Sequence, residues 1–169
     1  MIVTVTPNPT VDQTMFVRTL EPGAVNRARE TQLDPAGKGV NAARVADRLG
    51  WPTIAVGFLA GETGRIVEAA LDAEGVQRHF VPVPGWTRVN GTIVGDDGGA
   101  TSVYGPGPRV EAEHLDELVG LLDFWLQAGR LLVLAGSLPP GAPDDWYAVL
   151  IRRARERCAT TILDAHGSA

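Results

Sequence analysis

The stretch Pro35-Ala36-Gly37-Lys38-Gly39-Val40-Asn41 sets two glycines around a lysine, and a helix-like apolar pattern starts directly behind it. Glycine lets backbone N–H groups come close to an anion, a helix N-terminus offers unpaired donors and a favourable dipole, and Lys38 adds a full positive charge. Together these describe an anion-binding loop whose guest is a phosphorylated small molecule. The spacing matches neither a Walker A loop nor a dinucleotide fingerprint. By itself, a glycine-rich turn that happens to contain a lysine reads equally well.

Outward from this loop the chain alternates strands and helices. Ala42, Val45, Ala46 and Leu49 fall at i, i+3, i+4 and i+7, and Gly50 with Pro52 stops the pattern, so a helix leaves the loop. Upstream, Ile2 to Thr6 is a short β-branched run ending at Pro7-Asn8-Pro9, a buried strand that opens into a loop with Asp12 behind it. Thr14 to Leu20 and Ala28 to Leu33, joined at Glu21-Pro22-Gly23, predict a solvent-facing hairpin. Downstream, Thr53 to Phe58 reads as a strand, Glu62 to Ala73 as a helix and Gln77 to Val83 as a strand. Arg88 to Val94 and Ala100 to Tyr104 flank the turn signal Gly95-Asp96-Asp97-Gly98-Gly99 and are expected to pair with the first hairpin. Glu111 to Leu126 predicts a helix, Leu131 to Ala135 a strand, Asp144 to Arg157 a helix and Thr160 to Leu163 a last strand.

This order predicts an α/β fold, a mostly parallel sheet covered by helices on both faces, with a small second layer made by the hairpins. Ligands in such sheets sit at the carboxyl ends of the strands. The polar segments Asn8 to Asp12, Gly136 to Gly141 and Asp164 to Gly167 are therefore expected to gather on one edge.

Composition narrows the function classes. The chain has 169 residues, 44% hydrophobic and 21% charged, enough for one domain with a sizeable core. A net charge of -5, with Arg and Lys scattered, argues against a nucleic-acid or anionic-membrane surface and for a small-molecule partner. No apolar run approaches the roughly 18 residues of a membrane span and no basic leader precedes the first strand, so the expectation is a cytoplasmic protein. The single Cys158 is expected to be an inert helix residue, and His79, His114 and His166 to be surface residues without metal spacing, so no metal site is expected. His166 beside Asp164 also suggests a general base.

Thr6-Pro7-Asn8-Pro9-Thr10-Val11-Asp12, Ala36-Gly37-Lys38-Gly39-Val40-Asn41, Thr87-Arg88-Val89-Asn90 and Gly136-Ser137-Leu138-Pro139-Pro140-Gly141 occur in one order. In that order they resemble the ribokinase-like (PfkB) carbohydrate kinases, and within them the 1-phosphofructokinase and tagatose-6-phosphate kinase branch. The resemblance spans essentially the whole chain. It implies one ribokinase-like α/β domain over residues 1–169, with strands of a β-sheet lid inserted near 13–34 and 87–104. It also implies ATP with Mg2+ as donor, a phosphorylated ketose as acceptor, and homodimers packed through the lid.

Carried over by position, the resemblance has Asp12 bonding a sugar hydroxyl, and Gly37, Lys38, Gly39 and Asn41 holding the sugar near the lid. Arg88 and Asn90 reach down from a lid strand, and Ser137 lines the pocket. Arg27 serves its own or a partner subunit's site. Read alone, Asp12 is as readily a turn cap, Arg88 and Arg27 solvated edge charges, and Ser137 a turn former. The family's catalytic aspartate lies in a downstream Gly-Ala-Gly-Asp motif, which this sequence lacks. The resemblance thus places the general base beyond Ala169, so no catalytic residue is assigned and no complete nucleotide site is expected. Phosphoryl transfer rests on positioning and charge stabilisation. The chain is therefore expected to be the sugar-binding N-terminal portion of a kinase, inactive alone. The alternatives are a catalytically dead sugar-phosphate-binding module or a dimerising fragment. Two smaller departures are Ala36, where the family usually has glycine, and Asp164-Ala165-His166-Gly167 in place of Asp-Thr-Ser-Gly.

Overall fold

The computed structural model of the chain describes residues 1–165. Strand β1 (Ile2–Thr6) is its centre. It pairs in parallel with β4 (Thr53–Leu59) on one side, Thr4 opposite Ala55, and with β8 (Leu131–Ala135) on the other, Thr4 opposite Val133. Two further parallel strands, β5 (Gln77–Pro82) and β9 (Thr160–Asp164), complete a five-stranded sheet in the order β5-β4-β1-β8-β9.

Strands buried on both faces read as continuous apolar runs, and β4 is buried along its whole length. Its side chains alternate. Ile54, Val56 and Phe58 join Val3, Val5, Leu132 and Leu134 in a core shared with helices α3 (Ala112–Trp125) and α4 (Trp146–Glu156). Ala55 and Leu59 join a second core with Val40, Ala43, Val67 and Leu71 from helices α1 (Lys38–Arg48) and α2 (Gly61–Glu74). Two helices therefore cover each face, as the alternation predicts.

The hairpins form a separate four-stranded sheet in the order β3-β2-β6-β7, from β2 (Thr10–Phe16), β3 (Glu30–Ala36), β6 (Arg88–Val94) and β7 (Ala100–Tyr104). The predicted pairing of the two hairpins is present, through a parallel β2–β6 ladder with Asp12 opposite Asn90. The Gly95–Gly99 turn is present too, with Gly95 N–H donating to the Gly99 carbonyl at 2.9 Å.

Several expectations need correction. The strands of the first hairpin lie further from Glu21-Pro22-Gly23 than expected: β2 runs from Thr10 and ends at Phe16, β3 begins only at Glu30, and a long loop over 17–29 joins them. Asp12 consequently lies inside a strand and is not a turn cap. Cys158 is not helical. It stands exposed beyond α4 at φ 55, a left-handed residue between helix and strand. His114 is more buried than expected. Its side chain is 13% exposed, and it accepts from the Glu111 N–H at 3.0 Å in a capping box that opens α3. His166, Gly167 and Ala169 lie outside the described residues. The general-base reading of His166 and the expected position of the family's base beyond Ala169 fall outside them too. Among those described, no helix is long and apolar enough to cross a membrane.

Candidate functional site

The ends of β1, β2, β3 and β6 meet at one corner. Cα pairing sets Ala36, Thr10 and Arg88 in one row across the small sheet, and Asp34, Asp12 and Asn90 in a second row on the same face. Gly37 and Lys38 follow this first row directly, so the glycine-lysine loop is covalently tied to the edge carrying Arg88. Across that face, Asn90 Nδ2 donates to Asp12 Oδ1 at 3.0 Å, and Thr10 Oγ1 donates to the same oxygen at 3.2 Å. Asp12, Asp34, Ala36, Asn41, Arg44 and Arg48 are among the residues lining a cavity of about 350 Å³ between the β3 edge and α1.

Arg88 is the unusual cation here. Its Nε is buried without a hydrogen-bond partner, and the Asn90 Oδ1 is likewise unpartnered. Burial lowers the pKa of the Arg88 guanidinium, while the negative charge of Asp12 and the Tyr104 phenol oppose the shift. Orphaned polar atoms in a buried position are costly. Their grouping on one face marks a place prepared for a polar guest.

The glycines of the loop have a packing reason in addition to the one read from sequence. A Cβ on Gly39 would lie 2.4 Å from Thr6 Oγ1 and 2.8 Å from the Val5 carbonyl, and one on Gly37, at φ 137, would lie 2.7 Å from Thr6 Cγ2. Only glycine lets the first turn of α1 sit this close to the end of β1. Gly37 provides no side-chain cap to α1, and no acidic residue occupies its first turn. A helix N-terminus of this kind favours an anion.

Ser137 sits just beyond β8, and its Oγ receives a long 3.5 Å contact from Asn8 Nδ2, which also donates to the Pro106 carbonyl at 3.0 Å. Asn8 is buried, and its Oδ1 fills the space a Cβ on Gly107 would need, 2.1 Å away. It thereby ties the Gly105–Pro108 connector to the loop after β8. The sequence showed Asn8 within a motif but gave no reason to single it out, because both of its partners are far away along the chain. Lys38 Nζ meets Asp164 Oδ1 at 2.8 Å, bringing the end of β9 to the same edge. Asp12, Gly37, Lys38, Gly39, Asn41, Arg88, Asn90 and Ser137 thus occupy one edge of the molecule. Arg27 does not join them. It is exposed in the 17–29 loop beside Arg18 and Arg29, beyond the Phe16 end of β2. Among the described residues no group of three or more His, Cys, Asp or Glu side chains is placed to hold a metal ion.

A family model described as pfkB family carbohydrate kinase matches residues 5–169. Among solved structures, phosphofructokinase-2 from Escherichia coli in complex with substrates and products is 28% identical, with a TM-score of 0.93 over 99% of this chain and 55% of that one. The same E. coli protein has been solved with fructose-6-phosphate and in a tetrameric inhibited form. A Thermotoga maritima protein described as a possible 1-phosphofructokinase is 28% identical, with a TM-score of 0.83 over 97% of this chain and 53% of that one. Ribokinase from Giardia lamblia, at 19% identity and a TM-score of 0.77 over 96% of this chain and 53% of that one, shares the fold. The chain spans about half the length of the solved relatives it matches.

Proposed function

Because the chain belongs to the pfkB family of carbohydrate kinases, we propose that its edge cluster is the acceptor site of an ATP-dependent phosphosugar kinase of the 1-phosphofructokinase type. Such an enzyme converts fructose 1-phosphate to fructose 1,6-bisphosphate. The observation that carries this reading is a helix N-terminus that follows directly, through Gly37, on the sheet row holding Arg88. Lys38 opens an uncapped helix, and Arg88 keeps a buried, unpartnered Nε.

In this reading the Asp12 carboxylate accepts a hydrogen bond from a sugar hydroxyl, held in place by Asn90 and Thr10. The α1 N-terminus, with Gly37, Gly39 and Asn41, and the Lys38 ammonium face the phosphate already on the sugar. The Arg88 fork completes that recognition, since guanidinium geometry matches phosphate oxygens. Ser137 closes the pocket from the loop after β8. Arg27, at the tip of the small sheet, serves its own or a partner subunit's site.

The small sheet acts as a lid inserted into one α/β domain over residues 1–169. Strand alternation gives it two faces. Asp12, Asn90 and Arg88 lie on the site side, while Leu33, Met15, Ile93 and Val103 share the other, where Leu33 and Val103 are exposed. That apolar face supports packing of a second copy of the chain, giving a homodimer through the lid.

ATP with Mg2+ is the donor the family implies. The residues at hand do not fit that half of the reaction, because the described residues bring no cluster of metal ligands together and the sequence has no Gly-Ala-Gly-Asp motif. They are assigned to the acceptor alone, and by themselves they bind it without transferring phosphate. The protein is proposed to work in the cytoplasm on small molecules, with no nucleic acid or membrane partner.

A calorimetric titration with fructose 1-phosphate, paired with a coupled assay in ATP and Mg2+, tests the proposal. Binding is expected, Arg88→Met should weaken it by roughly tenfold or more, and turnover should be absent. Absence of binding would end the acceptor-site reading, and clear turnover would end the assignment of this chain to binding alone.

A further inference from the structure

Helix N-termini are usually balanced by an acidic residue in the first turn or by a capping side chain. α1 has neither. Its compensating charge comes from 126 residues away, where Asp164, at the carboxyl end of β9, meets Lys38 Nζ at 2.8 Å. The Asp164 backbone is fixed, since it pairs with Ala135 in the β8–β9 ladder and its carbonyl accepts from the Gly136 N–H at 3.0 Å. The ion pair therefore lies across the edge where the candidate site opens. It joins a helix packed on β1 to a strand two places away in the sheet order.

Both partners are open to solvent, Lys38 at 48% and Asp164 at 61% side-chain exposure. An exposed pair of this kind is weak and exchanges readily. A phosphomonoester carries close to two negative charges and several strong acceptor oxygens at neutral pH, so it outcompetes one carboxylate for the same ammonium. A neutral sugar, in contrast, leaves the pair as it is.

We propose that Asp164 is the resting counter-ion of Lys38 and that an incoming phosphate group displaces it. Asp164 is thereby a positioning residue that restricts productive use of Lys38 to doubly charged ligands. The inference rests on the reading of Lys38 as the cation that faces the sugar phosphate. It assigns to Asp164 a role in selecting the acceptor through Lys38, without contact to the sugar itself.

The test is a double-mutant cycle read by calorimetry, with fructose 1-phosphate and inorganic phosphate as probes and thermal unfolding as a check that each variant folds. Asp164→Asn should tighten binding of both anions by about two- to fivefold, the range that loss of an exposed ion-pair competitor allows. In a Lys38→Ala background the same substitution should bring a clearly smaller gain. Unchanged or weaker anion binding in Asp164→Asn would overturn the exchange. An equal gain with and without Lys38 would also overturn it, since that would be plain charge repulsion. Should Lys38→Ala bind both anions as the parent does, the phosphate-facing role of Lys38 fails, and the inference with it. Loss of binding in Lys38→Ala, with no gain in Asp164→Asn, removes the inference alone.

Discussion

At the scale of single residues, the glycine-lysine loop combines a packing constraint with an electrostatic one. Gly39 fits because hydrogen replaces a Cβ that would strike Thr6 Oγ1 and the Val5 carbonyl. Gly39→Ala should therefore destabilise the fold by about 1–3 kcal/mol, read as a lower denaturation midpoint. Gly120→Ala, on an open stretch of α3 with nothing within 4 Å of its Cβ position, should instead stabilise by roughly 0.5–1 kcal/mol. Equal effects at the two sites would contradict the packing account. Lys38 could be picked out from the glycine-lysine loop itself, whereas Asp12 and Arg88 were singled out by the motif resemblance, since read alone they are a turn cap and an edge charge. Asn8 and Asp164 could not be given roles that way. Their partners, Pro106 and Ser137 for one and Lys38 for the other, are distant in the chain, and no local pattern encodes such contacts. Arg27 lies in the exposed 17–29 loop with Arg18 and Arg29, apart from the cluster of motif residues.

At the scale of elements, the helices and the buried strands were legible because their side chains follow a period of 3.6 or run continuously apolar. The β2 boundary was not legible. Its polar start, Thr10 and Asp12, looks like loop, and what makes it a strand is a parallel ladder to β6, 78 residues on. The loop-bearing helix α1 is clipped to α2 by Glu74, which is ion-paired to both Arg44 and Arg48, while Arg44 Nη1 also donates to the Pro35 carbonyl at 3.2 Å. The hydrogen bond from Arg44 holds the Glu74 carboxyl below the usual glutamate range, with the nearby charges of Arg44 and Arg48 acting the same way against the cost of burial. A carboxylate with a lowered folded-state pKa contributes stability that is present above its unfolded value, near 4.3, and is lost as pH falls through the folded one. Glu74→Gln should thus cost about 1 kcal/mol at pH 7. That cost should shrink toward zero as pH falls through the lowered folded-state value, as seen in denaturant midpoints measured across pH. A pH-independent penalty would show that Glu74 acts through packing and not charge.

At the scale of the molecule, a parallel sheet in the order β5-β4-β1-β8-β9 brings the loop before α1, the loop after β8 and the end of β9 to one edge. This gathering was predictable, since alternating strands and helices permit few arrangements. The central claim concerns chemistry, namely that the edge recognises a sugar by the phosphate it already carries. The most direct measurement is a calorimetric comparison of fructose 1-phosphate with unphosphorylated fructose on the parent protein and on Lys38→Ala. The account predicts saturable binding of fructose 1-phosphate, no measurable binding of fructose, and loss of most of the fructose 1-phosphate affinity in Lys38→Ala. Equal affinity for the two sugars, or fructose 1-phosphate binding untouched by the substitution, would contradict it.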